Sequence, residues 1–282
     1  MELRPVSDAL GVEAVGADLN ALAPDEFDAM YDAWLDNHVL LVRGQELTAP
    51  QLVRFTQRFG ELDDEVMIAN ALEWGTQEPG VLVVSNVVED GVEIGILGSG
   101  EAIWHTDMNF LEKPTKASFL LALELPPTGG DTGFVNMELA LKTMPSELRE
   151  KIEGHSIKHD ASTDSSGYVK EGFEPVTDVT KTEGAIHSFI RPNTETGRET
   201  LYLGRRRNAY VVDAPIAESE ALLDEVWKHT LRPEHIWYHQ WQVGDLIVWD
   251  NRSIMHRRDP FDPNARRIMH RTQVNDTPRP AA

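Results

Sequence analysis

Apolar residues along this chain come in short bursts rather than long periodic stretches. HVLLVRGQ (residues 38–45) is an apolar run ended by a glycine and reads as a buried strand. Thr48 then opens LTAPQLVRFTQRFGEL, where Thr48-x-x-Gln51 has capping-box spacing and Leu52, Phe55 and Phe59 recur at helical intervals. SFLLALEL, the turn PPTGGDT and GFVNM read as two strands with a connection between them. LYLG, IWYHQW, DLIVWD and RIMHRTQV are further strand candidates, and residues 137–153 and 218–230 predict short helices. Short strands, turn-rich connections and a few peripheral helices predict a β-sandwich or jelly roll. No Gly/Pro-rich linker divides residues 1–282, which therefore read as one domain. The polar segment 162–184, with STDSSG and TDVTKTEG, is expected to be a mobile surface loop placed to cover a site.

Composition narrows the setting. With 41% hydrophobic and 26% charged residues, the chain has the balance of a soluble globular protein. MELRPVSDAL has no apolar run of the kind a signal peptide carries, and SFLLALEL is far too short to cross a bilayer. The chain has no cysteine, which excludes disulfides, thiolate metal ligands and a cysteine nucleophile, and fits a cytoplasmic protein. A formal charge of −21 argues against nucleic acid or an anionic membrane as partner, and it makes any cluster of arginines conspicuous.

The candidate chemistry starts at IWHTDMNF (residues 103–110). In an extended segment residues i and i+2 point to the same side, so His105 and Asp107 can grip one ion or form an ordinary polar pair. WDNRSIMHRRDPFDPNARRIMHR (residues 249–271) supplies a late histidine, His256. Two histidines and a carboxylate on one face of a metal suit non-haem Fe(II), and equally a catalytic Zn(II) with a water. Spacing alone does not pair His256 with His105 among ten histidines.

WHTDMNF, LPPTGGDT and WDNR…MH…RRIMHR, in that order, resemble the taurine dioxygenase and 2,4-dichlorophenoxyacetate dioxygenase family (TauD/TfdA). HVLLVRGQ, FGEL at Phe59 and HSFIRPNTETGRETLYLG extend the likeness over most of the chain. The resemblance implies a mainly β double-stranded β-helix, a cupin-like jelly roll with peripheral helices. It also implies a dioxygenase that uses Fe(II), 2-oxoglutarate and O2 and releases succinate and CO2. By this match His105, Asp107 and His256 are the iron ligands, and Thr132 and Arg267 hold the distal carboxylate of 2-oxoglutarate. A guanidinium and a hydroxyl are apt donors for that group. Adjacent strand residues face opposite ways, so Arg266 is expected to pair with surface acids such as Asp259 or Asp262. Arg271 matches the residue that binds the substrate's anionic group. Trp249, Asp250 and Asn251 are expected to support the turn before His256.

The substrate positions depart from the taurine enzymes. Glu65 stands where a sulfonate-contacting histidine is found, and Glu101 replaces a common asparagine; either can equally be a solvated acid. GRRRNAY places Arg207 where a pocket phenylalanine stands in those enzymes, and it is expected to join Arg271 on a carboxylate or other oxyanion. Met108, Phe110, Tyr210 and Phe189 are candidate pocket walls. These departures disfavour taurine and favour C–H hydroxylation of a small organic acid, such as an aryloxyalkanoate, with C–heteroatom cleavage where that carbon bears a heteroatom. A sulfonate dioxygenase, a jelly-roll Zn(II) hydrolase and a non-catalytic binding protein are the alternatives. The resemblance makes a homodimer or tetramer plausible.

Overall fold

In the computed structural model, which describes residues 1–63, 78–100 and 102–279, the short apolar runs become strands of two facing sheets. The larger has eight strands in the order Glu2–Pro5, Val12–Val15, Val39–Val42, Leu246–Asp250, Thr115–Glu124, Ile268–Asn275, Leu82–Ser85 and Ile96–Leu97. The smaller has four: Ile236–His239, Thr132–Asn136, Ile254–Arg258 and Ala102–His105. Mostly antiparallel pairing in two facing sheets is the jelly-roll architecture expected from the sequence.

The runs are unbroken because the larger sheet is covered on both faces. Val39 and Leu41, Ile247 and Trp249, and Leu120 and Ala122 face the interior between the sheets. Their neighbours Leu40, Val42, Leu246, Val248, Phe119 and Leu121 point outward and are buried under a helical layer. Two apolar faces erase the alternation that marks a half-exposed strand. The smaller sheet keeps the period-two rule, with Phe134 and Ile254 turned inward and Val135 and Met255 turned outward against a second layer of helices.

Two helices differ from expectation. Residues 137–153 form not one helix but two, Met137–Lys142 and Ser146–Ile152, parted at Pro145, whose ring nitrogen has no proton for a helical bond. Pro24–Asn37 is a helix outside the sequence expectation, and it buries Phe27, Met30, Tyr31 and Trp34 on one face. The helix after Thr48 runs over Ala49–Thr56, capped by the backbone N–H of Thr48 donating to Gln51 Oε1 at 2.8 Å. Segment 162–184 is irregular apart from a single antiparallel bridge between Thr163 and Val169 and a 3-10 turn at Val179–Lys181, and residues 164–171 lie against the mouth of the central cavity.

Candidate metal and cosubstrate site

Strand register brings the two histidines together. His105 is the last residue of its strand, and its cross-strand partner in the antiparallel ladder is His256. That ladder shifts register between His256 and Arg258, an irregularity of the kind that re-aims side chains next to a site. Asp107 lies just past the strand end, followed by Met108 at φ 51°, a left-handed conformation that turns the chain at once. His105, Asp107 and His256 are all buried, and their ligand atoms lie within 4.8 Å of one another. Asp107 Oδ1 is 3.5 Å from His105 Nε2 and 3.9 Å from His256 Nε2.

Two of the three ligands are oriented from behind, while His256 Nδ1 is buried without a hydrogen-bond partner. His105 Nδ1 is 2.7 Å from the carbonyl of Ile103, which can only accept. Nδ1 therefore carries the proton, and the Nε2 lone pair is left for a metal. The other carboxylate oxygen of Asp107, Oδ2, accepts from Ser118 Oγ at 2.7 Å and pairs with Arg271 Nη2 at 2.6 Å. Ser118 Oγ in turn accepts from Gln273 Nε2 at 2.7 Å and Asn251 Nδ2 at 2.9 Å, while Trp249 Nε1 donates to Asn251 Oδ1 at 3.0 Å. With Oδ2 so occupied, Oδ1 is the oxygen that faces the imidazoles. Burial pushes the Asp107 carboxyl upward, but Arg271, His256 and His105 together hold it well below the usual carboxylate range. Burial and the neighbouring His105 push His256 well below the usual imidazole value. An ionised carboxylate and neutral imidazoles are the protonation states that bind a metal.

Beside the triad, Thr132, Trp249, Arg258 and Arg267 line a narrow cavity. Arg267 is 2% exposed, has no carboxylate partner among the described residues, and leaves its Nε without a hydrogen bond. A buried guanidinium with no anion is costly unless a ligand supplies one. Thr132 Oγ1 already accepts from Trp241 Nε1 at 2.9 Å, so its own proton is free to donate elsewhere. A cation and a hydroxyl donor in this cavity fit a carboxylate of 2-oxoglutarate. Arg266 faces outward and pairs with Glu124 and Glu89 rather than with Asp259 or Asp262.

A larger cavity of about 820 Å³ opens on the other side of His105 and Asp107, with Met108, Phe110, Lys170, Arg205 and Arg271 in its wall. Arg207, expected there, instead donates to the carbonyl of Gly167 at 2.8 Å from an exposed position. It is Arg205, 9% exposed, that enters the cavity wall. The chain makes a tight turn here, with Gly204 at φ 64° and Asn208 at φ 57°, so strand alternation does not govern which arginine turns inward. Arg206 pairs with Glu220 and Asp224. Phe189 belongs to the core beneath the smaller sheet, and the Tyr210 hydroxyl donates to the carbonyl of Ala214; neither lines the cavity. Glu65 and Glu101 lie outside the described residues.

Several site residues lay beyond the sequence reading. Ser118 shares by period two the inward face of Leu120 and Ala122, and Gln273 shares the face of Arg271; both signals were present. Asp250 supports the turn before His256 by accepting from the backbone N–H of Arg252 at 2.9 Å, as expected. Asn251 reaches further, into the hydrogen bonds that hold Asp107. Arg258, which grips the carbonyls of Leu97, Gly98 and Gly100, had no sequence signal.

Residues 2–273 match the family model described as Taurine catabolism dioxygenase TauD, TfdA family. The chain belongs to this family. Pentalenolactone F synthase of Streptomyces arenae is 31% identical over 287 residues, covering 95% of this chain and 93% of that protein. The alpha-ketoglutarate-dependent 2,4-dichlorophenoxyacetate dioxygenase of Cupriavidus pinatubonensis is 30% identical, with 95% and 94% covered. Among solved structures, AAD-2 in complex with Mn(II) and N-oxalylglycine superposes with a TM-score of 0.78 at 26% identity, covering 99% of this chain and 98% of that one. The TauD/TfdA protein described here is thus a 2-oxoglutarate-dependent dioxygenase that uses iron(II) and O2, and the zinc-hydrolase and binding-protein alternatives are set aside.

Proposed function

We propose that this dioxygenase hydroxylates a C–H bond of a small organic acid of the aryloxyalkanoate kind. Where the hydroxylated carbon carries an ether oxygen, the product is a hemiacetal that collapses and breaks the C–O bond. The observation that carries this reading is the wall of the larger cavity, where Arg205, Lys170 and Arg271 stand among apolar side chains such as Phe110 and Met108. An apolar pocket with a few convergent cations suits an aryl or alkyl body with one anionic end. The relatives named for 2,4-dichlorophenoxyacetate and for (S)-phenoxypropionate act on acids of that shape.

In this reading His105 Nε2, His256 Nε2 and Asp107 Oδ1 hold the iron, and Ser118, Asn251 and Gln273 fix the angle of the carboxylate. Thr132 and Arg267 hold the distal carboxylate of 2-oxoglutarate. Iron and 2-oxoglutarate supply the oxygen-activating chemistry, with succinate and CO2 as coproducts. The protein's own part is to place one C–H near the metal and to keep water away from it.

The test is succinate release with Fe(II), 2-oxoglutarate and a panel of aryloxyalkanoates, alkanoates, alkyl sulfates and taurine. Acids of the first two kinds should raise succinate formation well above the substrate-free rate, and the activity should vanish in His256→Ala. Stimulation by taurine alone would replace this reading with a sulfonate dioxygenase.

A further inference from the structure

Among the described residues, the larger cavity carries three cations, and only one has a carboxylate in contact. Arg271 is held by Asp107 at 2.6 Å. Arg205 gives one Nη to the carbonyl of Thr163, while its Nε is buried with no partner. Lys170 Nζ lies 3.9 Å from the centroid of the Phe110 ring, with no acid within ion-pair distance among the described residues. The guanidinium carbon of Arg205 lies 5.9 Å from the centroid of the same ring.

The nearby acids among the described residues are already engaged or turned to solvent. Asp160 accepts from Ser162, Thr163 and Asn208. Asp164 Oδ1 accepts from the backbone N–H groups of Ser166 and Tyr168. Glu171 borders the cavity from an exposed position and makes no ion pair with either cation. Burial lowers the pKa of both Arg205 and Lys170, and the charge of Arg205 lowers Lys170 further; the more distant charges of Asp160 and Asp164 oppose both shifts, and that of Asp107 opposes the shift of Arg205, without any of them contacting either cation. Two like charges gathered around one aromatic ring, neither neutralised by a contacting carboxylate, make a site for an anion.

We propose that Arg205 and Lys170 form the clamp for the substrate's acidic group, that Phe110 lies against the substrate body, and that Arg271 remains on Asp107 as a positioning residue. The assignment rests on the organic-acid reading above and moves the acidic group away from the metal-side arginine. The clamp also joins substrate to cover, because Arg205 is bonded to Thr163 and Lys170 itself belongs to the segment across the mouth.

The experiment is an anaerobic optical titration of the Fe(II)/2-oxoglutarate enzyme with phenoxyacetate, hexanoate and hexyl sulfate, each beside an uncharged counterpart (methyl ester or alcohol). The clamp predicts that Arg205→Gln and Lys170→Met each weaken binding of the acids roughly tenfold or more, the loss of a charge-assisted contact. Binding of the uncharged counterparts and of 2-oxoglutarate should stay unchanged, and Arg205→Lys should recover part of the loss. Equal weakening of acid and counterpart would mean that Arg205 only anchors the loop at Thr163, and unchanged acid binding in both variants would return the acid to Arg271. Either result overturns the clamp while the organic-acid reading stands. If no acid perturbs the spectrum of the unmodified enzyme, that reading falls and the clamp falls with it.

Discussion

Among single residues, Arg267 carries the sharpest trade between stability and function. Burial, with Arg258 adding to it, pushes its guanidinium down to about 9. The charge that attracts a carboxylate is present below that value and is lost as pH rises through it. Affinity for 2-oxoglutarate, followed by the iron charge-transfer absorption, should be flat near neutrality and weaken above pH about 9. The same depression makes the charged form a burden on the ligand-free fold, so this group's contribution to stability rises with pH above about 9. Arg267→Met should therefore leave the melting temperature of the ligand-free protein unchanged or higher, while weakening 2-oxoglutarate by roughly 100-fold or more. A large fall in melting temperature would mean that Arg267 serves the fold rather than the ligand. His105 and Asp107 stood out in the sequence because their i, i+2 spacing has a chemical reason, whereas Thr132 and the choice of Arg267 over Arg266 came from the family resemblance. Arg205 could not be told from Arg207, because the choice is made by a turn whose geometry depends on Gly204 and Asn208 in the left-handed region.

At the scale of elements, the helices over Pro24–Asn37 and Ala49–Thr56 meet the outer face of the larger sheet through a knot of rings. Phe59 is its hub, with ring centroids of Phe27, Tyr31, Trp34, Phe55 and Phe119 between 5.0 and 5.4 Å away. Phe59→Ala should cost about 3–5 kcal/mol. Chemical denaturation would measure it, and a loss under about 1 kcal/mol would mean that the layer re-collapses onto the gap. Strand identity was legible because apolar runs of four to eight residues bounded by turn residues have few other uses. Which face each run presents was not, since both faces of the larger sheet are covered. The Pro24–Asn37 helix was legible after all: Phe27, Met30, Tyr31 and Trp34 follow the i, i+3, i+4, i+7 rule. Pro145 likewise announced the break between the two short helices.

For the molecule as a whole, a formal charge of −21 opposes the anions the enzyme consumes. At about 0.01 M salt the field of the whole protein reaches roughly 30 Å, further than the cations of the cavity can be felt separately. Raising salt from about 0.01 to 0.15 M should therefore increase kcat/KM for 2-oxoglutarate. Stopped-flow binding would show whether the association rate moves in that direction; a fall would mean that the buried arginines govern approach as well as capture. The architecture was readable through family resemblance more than through physics, because strand pairing across long stretches of chain is written in no local pattern.

The pairing of His105 with His256 across one ladder has a consequence for how the protein matures. A slip of one residue would turn His256 to the opposite side of its strand. The two imidazoles can therefore converge only in a chain whose distant segments have zipped in the correct alignment. An ion that needs both is an inspector of assembly: it is retained by correctly zipped chains and, by mass action, holds them in that state. Iron occupancy in a fresh preparation would then count well-built molecules as much as it counts active ones.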